Sequence, residues 1–592
     1  MREKRYGRNR PSAVRRAARK GAKQKQREAK VVQFPAHRRA RRWPAAHSST
    51  SNRTPLAGRD RLRVVVAAVA VAGLLLSGRA VHLSFTDGER YQAFAAEQST
   101  EQAPASAQGR GTILSADGRE LAVSLEASTI VATPYQIEAP REAARDLASV
   151  LKPVTGQDER EIEDLITRRD SKGRLSGYSV LGSVDPEASE AVRNLRIEGI
   201  NLVPGSDRVY PDGELAGQLT GYFSDHGKAF GGIEARYSKA LGSGVDVQVT
   251  IDTAVQEELE SALATATREY EAKSALGVVM RVDDGAVVAL ANQPDYDNNL
   301  YTEAAAEVQR NRVLTDPYEP GSTFKPFTIA SALEEGTVTP ETTFTVADEI
   351  QVADRIVHDS EPHVTEVMYP EDILKRSSNV GTIQIAEGLG GQMLDQYIRR
   401  FGFGEKTGVD LWGEDPGEVP DYEDWSGSSI GNIPMGQGLT VTPLQLTAGY
   451  ATLANGGRRV NPYVAREAAP ENPGPRVISA ETSDIVRGML RGVVEGGTGR
   501  FAQIPGYTVA GKTGTSQKVD PATGTYGEEY VSSFVGFAPA SDPEYVTLIA
   551  VDEPRGLIWG ERVAAPAFQK VMSFTLGYFN VAPDAPDQSE TE

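Results

Sequence analysis

The 592-residue chain contains no cysteine. That excludes disulfides, thiolate zinc sites, a thiol nucleophile and a cysteine-linked lipid anchor, so the folded part is held by its core alone. Histidine is scarce, six in all, the last being His363. Any catalytic order that needs a histidine beyond that point is excluded. Long aliphatic runs are nearly absent as well. The exception is Val64 to Gly78, VVVAAVAVAGLLLSG, fifteen residues without a charge, with apolar character resuming past Arg79 to Phe85.

Acidic residues are rare at the start and abundant afterwards. Residues 1–63 carry 21 Lys/Arg against 3 Asp/Glu, a balance of +18, and the overall −18 leaves −36 for the rest. Such asymmetry points the basic end at nucleic acid or an anionic membrane leaflet. The apolar run decides for the membrane. With Arg79 snorkelling, residues 62–83 (Leu62 to Leu83) reach the length of a spanning helix, about 20 residues. About sixty residues precede the run, far more than the short basic region of a cleaved signal, so it reads as an uncleaved anchor. Positive charge stays cytoplasmic, which makes residues 1–61 a basic cytoplasmic tail and puts the acidic body outside the membrane, with no nucleic-acid partner.

Past a polar connector, short apolar runs punctuated by glycine begin at Arg110, and Asp117-Gly118 is a hairpin signal. Helices are expected near Pro140 to Leu151 and Asp158 to Arg169, with short strands through NLVPGSDRVYPDG and GGIEARYSKALGSG. A boundary falls near Gly244, where VDVQVTID restarts as a strand and Asp252 or Thr253 caps a helix to about Ala272. Residues 84–244 thus form an α+β module without evident chemistry, and residues 245–580 hold everything catalytic. The remaining 581–592 read as an acidic tail.

In YEPGSTFKPFTIASALEEG, Pro and Gly precede Ser322, and the apolar residues after it favour a helix ending near Gly336. Lys325 lies three residues on, on the same helical face, close enough to take the hydroxyl proton. It can do so only if neutral, which burial or a second cation would favour. A Ser-x-x-Lys match is expected about once by chance at this length, and Ser149 to Lys152 is a second one, read as a solvated helix end before Pro153. Ser377-Ser378-Asn379 offers a hydroxyl beside an amide, able to relay a proton and hold a peptide, or simply to cap a helix. Lys-Thr-Gly occurs twice. Lys406-Thr407-Gly408 lies between a helix and the loop WGEDPGE and reads as a connector. Lys512-Thr513-Gly514 lies in the first of three successive strands, an antiparallel meander. A peptide can pair with such an edge, Gly514 letting it approach while Lys512 and Thr515 meet a carboxylate.

Two patterns are set aside. Gly427 to Gly431 fits Gly-x-Ser-x-Gly around Ser429, but PDYEDW precedes it instead of a strand, and no histidine follows. His358 and His363 in HDSEPH lack a third clear ligand and read as surface or hydrogen-bonded residues, with no metal.

Ser-x-x-Lys, Ser-x-Asn and Lys-Thr-Gly in this order resemble the landmarks of the penicillin-binding proteins, the active-site serine D,D-transpeptidases. The resemblance runs from about Arg110 to Phe579 and includes RNRVLTDPYEPGSTFKP, RSSNVGTIQIA, PMGQGLTVTPLQLTAGYATLANGG and VAGKTGTSQK. RGTILSADGRELA, RVYPDGELAGQLTGY and GGIEARYSKAL are similar to the pedestal of the class B members. The resemblance implies an α+β fold: a transpeptidase domain whose antiparallel sheet is flanked by helices, behind an elongated α+β pedestal and one membrane helix. No glycosyltransferase domain is seen before the pedestal.

Carried over residue by residue, it implies Ser322 as the acylated nucleophile, Lys325 as general base and Ser377 as proton relay. Asn379 would hold the substrate amide, Lys512 would depress the Lys325 pKa and attract substrate, and Thr513 and Thr515 would bind a carboxylate. The N–H groups of Ser322 and Thr515 would form the oxyanion hole. No cofactor is implied. Expected ligands are D-Ala-D-Ala stem peptides and β-lactams, and expected partners are a membrane-embedded glycan polymerase and other divisome proteins. RNRVLTDPYEPGSTFK looks more like the cell-division (FtsI-type) branch than the elongation branch. A carboxypeptidase or β-lactamase of the same fold would need a water-activating residue, and no Glu-x-x-Leu-Asn follows Ser377. A sensor or scaffold would have no need of the intact Ser322, Lys325 and Lys512 set.

Overall fold

The computed structural model describes residues 109–169, 173–224, 227–520 and 522–585. The basic tail, the expected membrane helix and most of the acidic tail lie outside them. Among the described residues no helix is long and apolar enough to cross a membrane.

The first module is built on β2 (Glu120–Ala132), joined to β1 (Ile113–Leu114) through the expected turn, with Gly118 at φ 87°. β2 pairs antiparallel with β3 (Ser179–Val184) and with β4 (Ile200–Val209). On it pack α1 (Pro140–Thr155), α2 (Glu159–Ile166) and α3 (Pro186–Leu195), burying Ile130, Leu147, Leu151, Ile162 and Val192 together. Local signals set the starts: Pro140 is the first residue of α1, and Asp158 with Glu161 closes a reciprocal cap on α2.

A small hairpin, β5 (Tyr222–Phe223) and β6 (Ala229–Phe230), follows. Next, Gly232–Arg236 and Ser238–Gly242 are short helices, against the strand reading of GGIEARYSKALGSG. The helix formers Glu, Ala, Arg, Lys and Leu dominate there, and the glycines sit at the turn into the helix, Gly231 at φ 66° and Gly232 at φ 47°. The strand expected in VDVQVTID is a two-residue β7 (Val247–Gln248) that pairs parallel with β1, and Val249 then bridges Ala465. This short segment ties the first sheet to the second module. Asp252 caps α4 (Thr253–Glu269) as expected, accepting from Ala254 and Val255.

The second module centres on a five-stranded sheet ordered β14-β15-β16-β8-β9, where β8 is Ser274–Arg281, β9 Val287–Gln293, β14 Ala510–Asp520, β15 Thr525–Ala538 and β16 Tyr545–Asp552. Every neighbouring pair is antiparallel, so the three-strand meander is found as read. α4 and α10 (Ala565–Tyr578) cover one face, burying Val255, Leu259, Ile549 and Phe568. On the other face lie α5 (Lys325–Glu334), α6 (Pro370–Arg376), α7 (Asn379–Leu389), α8 (Pro443–Ala454) and α9 (Ala480–Gly496). Helices on both faces explain why β16 is buried throughout. Between β9 and α7 the chain adds β10 (Phe344–Val346), pairing with β13 (Glu366–Met368), and the hairpin of β11 (Glu349–Val352) with β12 (Arg355–His358).

Candidate active site

Ser322 lies in a 3-10 turn, Gly321–Phe324, that runs directly into α5. Gly321 is needed there on two counts. Its φ is +55°, and a Cβ would come 2.3 Å from Ser516 Oγ on β14. Its N–H donates to the Gly436 carbonyl at 2.9 Å, and Tyr450 on α8 holds the Thr323 carbonyl at 2.8 Å. Phe324 and Phe327 pack against Phe403 below. Ser322 is half-buried in a turn whose other residues are buried. Its hydroxyl has no hydrogen-bond partner among the described residues, while the backbone on either side is fixed by the Gly321 and Thr323 bonds.

Lys325, the first residue of α5, is fully buried. Its amine donates to Asn379 Oδ1 at 2.8 Å, to Ser377 Oγ at 3.2 Å and to the Ser377 carbonyl. Burial pushes its pKa down to about 7, against the opposing charge of Asp359. An amine poised there can give up its proton near neutral pH, as proton abstraction requires.

The Ser-x-Asn residues straddle a helix junction. Ser377 ends α6 at φ 60°, left-handed and uncommon for serine, and so turns its carbonyl and hydroxyl to Lys325. Ser378 is the cap that sequence composition leads one to expect, accepting from Gly381 N–H at 2.9 Å. Asn379 opens α7, donating its amide to the His358 carbonyl at 2.8 Å.

Lys512, Thr513, Gly514 and Thr515 lie on β14, the edge strand. A Cβ on Gly514 would meet Ser533 Oγ at 2.4 Å, Thr323 Cγ2 at 3.0 Å and the Pro320 carbonyl at 3.2 Å, so the serine-bearing turn leans on this glycine. Thr513 donates to Thr498 at 3.0 Å, and Thr515 Oγ1 accepts the Gly560 N–H at 3.1 Å. Lys512 is fully buried, 3.3 Å from Thr513 Oγ1. Its pKa lies well below the usual lysine range, first through burial and then through the charge of Lys325. The repulsion is mutual, so the two amines resist being charged together. The structure thus brings three segments far apart in sequence together: Lys325 bonds Ser377 and Asn379, and the turn that carries Ser322 lies against Gly514 and Ser516 of β14.

Residues 275–573 match the penicillin binding protein transpeptidase domain, and residues 105–277 the penicillin-binding protein dimerisation domain. The chain belongs to the penicillin-binding protein transpeptidases. It is 31% identical to stage V sporulation protein D of Bacillus subtilis, over 89% of this chain and 86% of that protein. It is equally 31% identical to the peptidoglycan D,D-transpeptidase FtsI of Escherichia coli K12, over 80% and 84%. Among solved structures it resembles penicillin binding protein 3 of Mycobacterium tuberculosis complexed with aztreonam, with TM-score 0.63 and 28% identity, over 81% of this chain and 98% of that one.

In this penicillin-binding protein the decoy motifs lie elsewhere. Ser149 is exposed and bonds the Asp146 carbonyl, and α1 continues past Lys152 and Pro153 to Thr155. Ser429 sits in a 3-10 turn bonded to Ser426. Lys406 is exposed, and Thr407 is bonded to Glu414 through both its N–H and its hydroxyl. Sequence reasoning missed Asp359, which accepts from Asn379 N–H at 2.5 Å and Val380 N–H at 2.9 Å, and missed Thr498 and Gly560. HDSEPH is the available signal for Asp359, and it is the aspartate of that stretch, not the histidines weighed for a metal, that carries it.

Proposed function

We propose that this chain crosslinks peptidoglycan stem peptides during septal wall synthesis, through an acyl-enzyme on Ser322. As Ser322 Oγ bonds to the carbonyl carbon of the D-Ala-D-Ala amide, its proton passes to neutral Lys325. The C–N bond breaks, and the departing D-Ala amine takes that proton by way of Ser377. An amine of a neighbouring stem then attacks the ester, and Ser322 regains its proton. Asn379 holds the substrate amide, Gly514 lets the peptide lie along β14, and Lys512 with Thr513 and Thr515 receives the carboxylate. The N–H groups of Ser322 and Thr515 stabilise the oxyanion. β-Lactams acylate the same serine.

The observation that carries this reading is Lys325, a fully buried amine one turn past Ser322 that hydrogen-bonds both Ser377 and Asn379. The test is covalent labelling by a fluorescent penicillin, read on a denaturing gel, for protein lacking residues 1–85. Label is expected on wild type and on Lys406→Ala and absent from Ser322→Ala; an unlabelled wild type overturns the mechanism.

The septal assignment draws on the FtsI relatives. With residues 62–83 as a single anchor, the tail 1–61 stays in the cytoplasm and the domain 245–580 works outside the membrane. The pedestal, 84–244, meets a membrane glycan polymerase that supplies the strands. Co-purification of full-length protein with such a polymerase, lost on replacing the pedestal, tests that part.

A further inference from the structure

Behind Asn379 lies a pair of residues that the mechanism leaves unused. His363 Nδ1 is 2.8 Å from the Val364 carbonyl and Nε2 is 3.0 Å from Asp359 Oδ2. Glu366 Oε1 is 3.5 Å from Nδ1. Every one of these partners is an acceptor. A neutral imidazole has a single N–H, which would set a bare nitrogen lone pair against oxygen, so these contacts favour the imidazolium. Its pKa is raised accordingly, by the Val364 carbonyl first and with help from Asp359 and Glu366.

Asp359 divides its two oxygens. Oδ2 faces His363, and Oδ1 takes the N–H groups of Asn379 and Val380, the first two of α7. The residue before it, His358, offers its carbonyl to the Asn379 amide, which fixes the side chain with Oδ1 toward Lys325 at 2.8 Å. A connected path therefore runs from the imidazolium through one carboxylate and one amide to the catalytic amine.

We propose that His363 and Asp359 are positioning residues, an ion pair that holds Asn379 against Lys325 and whose balance of charge tunes that base. The inference rests on the assignment of Lys325 as the base. The charged groups in play are few. His363 faces Asp359 and Glu366, and Glu366 is itself engaged by Arg376 on α6. His358 faces Glu349 across the β11–β12 hairpin. Lys325 feels Asp359, and Lys512 feels Lys325. The Asp359 anion holds a proton on Lys325, and the His363 cation weakens that hold.

The experiment is the second-order rate of acylation by a fluorescent penicillin from pH 5 to 9, with melting temperatures alongside. The rate rises with pH as Lys325 loses its proton. Asp359→Asn removes the anion, so the midpoint moves to lower pH. His363→Gln leaves the anion uncompensated, so it moves to higher pH. Shifts of roughly half to one unit, about three- to tenfold in rate on the acid limb, are expected in opposite directions. His363→Arg restores the wild-type midpoint, and if Asp359→Asn does not fold, the Gln and Arg variants decide between them. Folded variants whose midpoints stay put or move the same way overturn the inference. Label persisting on Ser322→Ala would instead sink the nucleophile assignment, a separate result.

Discussion

The same three residues, Lys-Thr-Gly, stand at 406–408 and at 512–514, and the fold treats them in opposite ways. Lys406 projects from a connecting turn into solvent, where Thr407 bonds Glu414 and Gly408, at φ 85°, has nothing within 4 Å of where a Cβ would lie. Lys512 is fully buried on an edge strand, and a Cβ on Gly514 would strike three neighbours. In the first copy lysine is there for solubility and glycine for a turn. In the second, lysine is an amine kept out of water, and glycine leaves clearance for the serine-bearing turn. The chemistry belongs to the surroundings that desolvate the amine, and a tripeptide cannot carry those by itself.

The comparison is sharpened most by Lys512→Met. Acylation by penicillin should fall by roughly 10²–10³-fold, the scale set by losing one group aimed at developing charge. The same variant should melt higher than wild type at pH 7. In the unfolded chain this lysine binds a proton up to about pH 10.4, whereas in the fold its affinity is depressed, so neutral burial costs stability below that pH and the cost fades as pH rises. The gap in melting temperature should therefore narrow between pH 7 and pH 10, and Lys406→Met should show neither effect. A Lys512→Met protein that melts lower at neutral pH would contradict the assignment of a strained, desolvated amine.

Gly514→Ala comes next. The contacts of 3.0 Å to Thr323 Cγ2 and 3.2 Å to the Pro320 carbonyl push the serine turn away from the strand, and acylation should drop about 10- to 100-fold. Gly408→Ala meets no atom and suffers only its left-handed backbone, about 1 kcal/mol, visible as a melting temperature lower by a few degrees with the acylation rate unchanged. Wild-type acylation itself should climb with pH through about 7, because Lys325 acts only after losing its proton. A flat profile between pH 6 and 8 would separate the base from this amine. Smallest of all, Thr407→Val removes the hydroxyl bond to Glu414 and keeps the one from the N–H, costing about 1 kcal/mol in urea melts and nothing in labelling.

Much of this could be read from the chain because the relations are local. Lys325 follows Ser322 by three residues, and helical periodicity alone places both on one side. The meander ending in β16 shows as three successive apolar runs, and the Asp117-Gly118 turn announces its hairpin. The segment Gly232–Arg236 was misjudged because its glycines spell a turn as readily as a strand end, while the deciding preference lies in the residues between them. Asp359 was invisible for a different reason: it acts twenty residues ahead of Asn379, from a loop, and no period links the two. The burial of Lys325 and Lys512, on which the chemistry turns, is a property of the assembled core and has no signature in either residue's neighbours in sequence.

β14 has one more consequence, and it is colloidal. A strand with a free edge is a template for any other strand, a second copy of the same protein included. Its outer half is guarded in the usual ways: the pairing with β15 slips at a bulge between Gln517 and Val519, and Lys518 stands between them, tied to Asp552 and Glu553. The inner half, from Lys512 to Ser516, pairs with β15 without a register shift and has no ion pair among the described residues, as the proposed role in holding a stem peptide requires. On β14 the guard thus lies in one half of the strand, and added charge at 517–519 is where solubility can be raised without touching Lys512 to Ser516.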